Sequence, residues 1–78
     1  MKFQIEYQNG ISQQDYKAIG IITSTMYLDL ARTLENALSV MRAREIDLDD
    51  LGYNCGHGAS HIWIARKDDK KRIAIITE

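Results

Sequence analysis

The apolar residues of this chain change period along its length, and that change limits the folds open to it. Lys2–Gln8 alternates strictly, with Phe3, Ile5 and Tyr7 on one side and Lys2, Gln4, Glu6 and Gln8 on the other. This is the pattern of a half-buried strand, because successive strand side chains point to opposite faces. From Met26 the spacing becomes helical. Tyr27, Leu30, Ala31, Leu34, Ala37, Leu38 and Met41 form one apolar stripe, with Asp29, Arg32, Glu35, Asn36 and Ser39 on the solvated side. Ser24 or Thr25 is positioned to cap this helix, and Arg42 and Arg44 suit its carboxyl end.

Two further strands are expected at the carboxyl end. His61–Arg66 and Lys71–Thr77 are rich in isoleucine and flank Asp68-Asp69, which reads as a hairpin. Near the start, Asn9-Gly10 tolerates positive φ, and Tyr16–Thr23 carries enough β-branched residues to be read as a second strand pairing with the first. Glu45–Gly52 is acidic; Asp47 can cap one short turn through Leu51, closed by Gly52. The expected fold is therefore α+β of order ββαββ, a four-stranded antiparallel sheet with one amphipathic helix on one face, forming a single small domain over residues 1–78.

That layout leaves one sheet face without a helix. If Ile62 and Ile64 pair with Ile73 and Ile75 toward the helix, the opposite face carries His61, Trp63, Ala65, Ala74 and Ile76, and the second strand adds Tyr16, Ala18 and Ile22. Such a face is too apolar to stand in water, and exposed apolar patches of this kind mark contacts with other molecules. Tryptophan is a frequent energetic anchor there. The expected occupant is a protein partner of unknown identity or a second copy of the chain, since a domain of 78 residues buries only about 60% of its unfolded surface and gains from association.

The segment GYNCGHGASHIW holds the only cysteine, both histidines and the only tryptophan. Cys55, His57 and His61 are candidate zinc ligands, but a structural zinc site takes four, and the paired Cys-x2-Cys knuckle is absent. Cys55 with His57 as a nucleophile and base lacks a rigid frame and an orienting third group. Gly52, Gly56 and Gly58 do not form a phosphate cradle, because the loop opens a strand instead of a helix. The expectation is a non-enzymatic chain with no cofactor.

Two charged runs remain. Arg66, Lys67, Lys70, Lys71 and Arg72 surround Asp68-Asp69; beside Trp63 this invites a nucleic-acid alternative resting on Lys67, Lys70, Lys71 and Arg72. The formal net charge of −1 gives no bulk attraction for nucleic acid or membrane, so this reading ranks below protein binding. The acids Asp47, Asp49 and Asp50, next to Glu45, suit electrostatic steering of a basic partner surface, as in small inhibitors encoded by phages or other mobile elements. They lack the glycine and terminal glutamate of a calcium loop. With no signal-like start, no apolar run of membrane-span length and one cysteine, the expected location is the cytoplasm. The functional expectation is a small protein-interaction module of adaptor or inhibitor type.

Overall fold

The computed structural model describes residues 3–25 and 33–78. Its elements run β1 (Gln4–Tyr7), α1 (Gln13–Thr25), α2 (Leu34–Ala43), α3 (Glu45–Leu51), β2 (Tyr53–His57), β3 (Ile62–Arg66) and β4 (Arg72–Thr77). The sheet is four-stranded in the order β1-β4-β3-β2, with every neighbouring pair antiparallel. The four-stranded antiparallel sheet of the α+β class is present. The ββαββ order is corrected: among the described residues one strand precedes three helices, and three strands follow them.

The first correction is α1, expected as a strand. Its start is a capping box: the Ser12 hydroxyl accepts from the Asp15 amide at 3.1 Å, and the Asp15 carboxylate accepts from the Ser12 amide at 3.0 Å. From there Asp15, Ala18, Ile19 and Ile22 recur at helical spacing, and all four are buried. The β-branched residues Ile19, Ile21, Ile22 and Thr23 cost little helix propensity beside that burial. Ala18 and Ile22 therefore lie in the core and not on an open sheet face, whereas Tyr16 is 44% exposed.

Of the expected long helix, Leu34–Ala43 is present as α2, burying Ala37 and Met41. Its cap is Thr33, whose side chain accepts from the Asn36 amide at 3.2 Å, so the expected cap at Ser24 or Thr25 is replaced. Tyr27, Leu30 and Ala31 lie outside the described residues. The Glu78 carboxylate also accepts from the Leu34 amide, joining the end of the chain to the first turn of α2. Arg44, at φ −110° and ψ 12°, separates α2 from α3. Gly52 ends α3 in the left-handed region at φ 84°, as its place after Leu51 implies.

The second correction is β2. Tyr53–His57 is a strand paired with β3 in the register Tyr53↔Arg66, Cys55↔Ile64 and Gly56↔Trp63, where a loop was expected. The third correction is register. Ile62 lies opposite Ile76 and Ile64 opposite Ala74, with a bulge where Ala65 meets Arg72. A bulge turns two successive side chains to one side. Ile73 and Ala74 are thus both fully buried, Arg72 is exposed, and Ile75 rather than Ile73 faces away from the helices. Ala74 and Ile76, expected on the open face, are fully buried in the core.

One apolar cluster holds the layers together. Ala18, Ile19 and Ile22 of α1, Ala37 and Met41 of α2 and Leu48 of α3 meet Tyr53, Ile62, Ile64, Ile73, Ala74 and Ile76 of the sheet. All three described helices pack on this one side. Ala65 is 5% exposed but stands apart from that cluster, on the other face of the sheet.

Candidate functional site

Strand alternation sends Trp63 and Ala65 of β3 to the face opposite the helices, because Ile62 and Ile64 point into the core. Across the sheet, Glu6, Ile75, Trp63 and Gly56 form one row of direct neighbours. Asn54, Ala65 and Arg72 form the next. Trp63 and Ile75 are half-buried, while Glu6, Asn54 and Arg72 are exposed.

Gly56 explains how the indole lies down on this face. A Cβ at Gly56 would sit 2.1 Å from Cζ2 of Trp63, so only glycine lets the ring cover the neighbouring strand. A glycine weakens a strand, and a cross-strand aromatic lying over it restores the lost burial. Above the ring, the Arg72 guanidinium carbon is 5.2 Å from the indole centroid, within cation–π range. Beside them lies a depression of about 270 Å³ lined by Asn54, Trp63, Ala65, Arg66, Lys70 and Arg72.

The basic residues divide. Lys70 and Arg72 border Trp63. Lys67 pairs with Asp49 at 2.9 Å, and Lys71 Nζ reaches toward Gly10. The four do not form a single patch. The acids are on α3, in the helix layer: Asp47 lies 3.5 Å from Arg44, Asp49 is held by Lys67, and Asp50 is exposed. Trp63 and the acids are on different sides of the sheet, so one flat contact would not use both.

The Cys/His segment does not assemble a reactive centre. Among the described residues no group of three His, Cys, Asp or Glu side chains is placed to hold a metal ion. Cys55 and His57 face the helices as alternate residues of β2, and the His57 ring lies 3.4 Å from Arg42. Burial pushes the Cys55 thiol up to about 12, the opposite of what a nucleophile needs. The His61 ring folds over Gly58, where a Cβ would sit 2.2 Å from it. This places His61 at the hairpin end of the open face, apart from the Cys55 side chain.

A second polar group was invisible to spacing arguments. Asp15, 2% exposed, accepts the Tyr53 hydroxyl at 2.7 Å and the Arg66 guanidinium at 3.2 and 2.5 Å. Arg66 also reaches Asp69 at 2.9 Å. The Arg66 charge holds the Asp15 carboxyl well below the usual carboxylate range, overcoming the opposing effect of burial. Burial and the bond to Asp15 push Tyr53 up to about 12. The Asp15 carboxylate is engaged by Ser12, Tyr53 and Arg66 together, so the group ties α1 to β2 and β3.

The chain matches no family model, no curated protein and no solved structure. No described helix is long and apolar enough to cross a membrane.

Proposed function

We propose that this protein is a small non-enzymatic interaction module whose contact surface is the sheet face carrying Trp63. The observation that supports this most is the arrangement of Gly56, Trp63 and Arg72. A large ring is laid flat over glycine and kept half-exposed on a face that no described helix covers. Ile75 extends the apolar centre above the buried Ala65, and Asn54, Glu6, Lys70 and Arg72 give it a polar rim. An apolar centre within a polar rim is the usual anatomy of a protein contact, with tryptophan and arginine as its common anchors. The acids of α3 serve as a second, separate surface that steers approach.

Comparing captured proteins and sedimentation behaviour of the native chain with Trp63→Ala and Asp50→Ala tests the reading. Trp63→Ala is expected to abolish association while the helical circular dichroism is unchanged; full association by Trp63→Ala would refute it. A second reading, binding of nucleic acid, is favoured by the pair Lys70 and Arg72 beside an aromatic platform. It requires steeply salt-dependent binding of oligonucleotides.

A further inference from the structure

The geometry points to the chemistry of the partner: the segment received on this face presents carboxylates. It places an apolar side chain against Trp63 and an Asp or Glu against Lys70 and Arg72. This rests on the interaction reading above and specifies what that surface recognises.

Charge complementarity carries the inference. The chain supplies its own acid for two neighbouring cations: Arg66 is matched by Asp15 and Asp69, and Lys67 by Asp49. Among the described residues, no carboxylate lies within ion-pair distance of Lys70 or Arg72. Lys17, Arg42 and Lys71 have none either, but of these unmatched cations Lys70 and Arg72 are the two that line the depression beside the tryptophan. Arg72 is also oriented by its position over the indole. A guanidinium in this place can present two parallel N–H groups to a carboxylate.

Lys70 adds an independent observation. It is the only non-glycine described residue at positive φ, at 57°, in a turn position where glycine or asparagine is favoured. A lysine kept there retains its charge against local backbone preference, as residues at contact sites often do.

The same face argues against a polyanion. Lys67 and Lys71 are directed elsewhere, which leaves two cations, too few for the run of phosphate contacts that sustains nucleic-acid affinity. The depression of about 270 Å³ suits one or two side chains with an acid at its edge.

Selection of a random peptide library displayed on phage, against the immobilised full chain with Trp63→Ala as counter-selection, tests this. The expected winners carry an excess of Asp and Glu around an apolar or aromatic residue. As a synthetic peptide, a winner is expected to shift the Trp63 fluorescence and to lose about tenfold or more in affinity on Lys70→Glu/Arg72→Glu. A version of that peptide with Lys in place of its acids should bind the double variant better than the native chain. Trp63-dependent winners without acidic excess would overturn the carboxylate inference and leave the interaction reading standing. Tighter, Trp63-dependent binding of a random single-stranded oligonucleotide would overturn it in favour of nucleic acid. If no winner depends on Trp63, both the inference and the reading beneath it fail.

Discussion

Replacing Asp15 with asparagine removes one charge from the most buried polar site of the fold and keeps its shape. In the native chain the Asp15 side chain accepts from the Ser12 amide, the Tyr53 hydroxyl and two nitrogens of Arg66. Asparagine keeps one acceptor oxygen and turns an N–H₂ toward a guanidinium, so the paired contact with Arg66 is lost. Removing one partner of a fully buried ion pair costs about 3–5 kcal/mol. The Asp15 side chain is 3% exposed but that of Arg66 is 23%. Water can therefore take over part of the guanidinium's hydrogen bonding, which lowers the expectation to about 2–3 kcal/mol. For a chain of 78 residues this lowers Tm by roughly 10–20 °C.

The acid dependence follows from the direction of the shift. The folded carboxyl titrates below its ordinary value of 3.8, so its contribution is fully present above that pH. It fades as pH falls through the folded value. The stability difference between native chain and Asp15→Asn should therefore be constant near neutrality and shrink below about pH 4. Thermal melts followed by circular dichroism across that range, checked by urea unfolding, measure it. A difference under about 0.5 kcal/mol at neutral pH, or one that does not change on acidification, would refute the ion-pair reasoning.

Other expectations concern single positions. Gly20 lies inside α1 with nothing within 4 Å of a Cβ placed there; Gly20→Ala should raise stability by about 0.5–1 kcal/mol, read as a higher Tm. Gly56→Ala forces the indole off β2 and should cost about 1–3 kcal/mol with a changed Trp63 emission spectrum; an unchanged spectrum would contradict the close approach. Ile76→Ala, at a fully buried site, should cost about 2–5 kcal/mol. Ile75→Ala should cost far less and weaken association, and a reversed order would restore the unbulged register. With Lys70 and Arg72 beside the only tryptophan, iodide should quench its fluorescence more than caesium does; equal quenching would contradict a net positive surround.

Where the pattern was local and unopposed, the fold could be read from the residues. Lys2–Gln8 alternates, and β1 lies within it; Asp68-Asp69 sits between isoleucine runs, and β3 and β4 flank it; Gly52 follows an acidic turn and caps α3. Elsewhere two local signals competed. In Tyr16–Thr23 the β-branched residues outweighed the Ser12–Asp15 box and the stripe Asp15, Ala18, Ile19, Ile22, yet burial of that stripe decides the helix. Gly56 and Gly58 disguised β2, because their support comes from Trp63 and His61 across the hairpin, not from their own neighbours. The bulge at β4 has no signature in the isoleucine run, so Ala74 and Ile76 were assigned to the wrong face while Trp63 and Ala65 were assigned to the right one. The pairing of Arg66 with Asp15 and of Lys67 with Asp49 depends on acids distant in sequence. Spacing along the chain does not report them.

The central claim is that other molecules meet this protein on the Trp63 face. Site-specific photocrosslinking in the native cell tests it directly, with a photoreactive residue at Ile75 in one variant and at Asp50 in another. The expected result is a discrete crosslinked species from Ile75, to another protein or to a second copy, that disappears when Trp63→Ala is added. Crosslinking from Asp50 alone, or from Ile75 without dependence on Trp63, would contradict it.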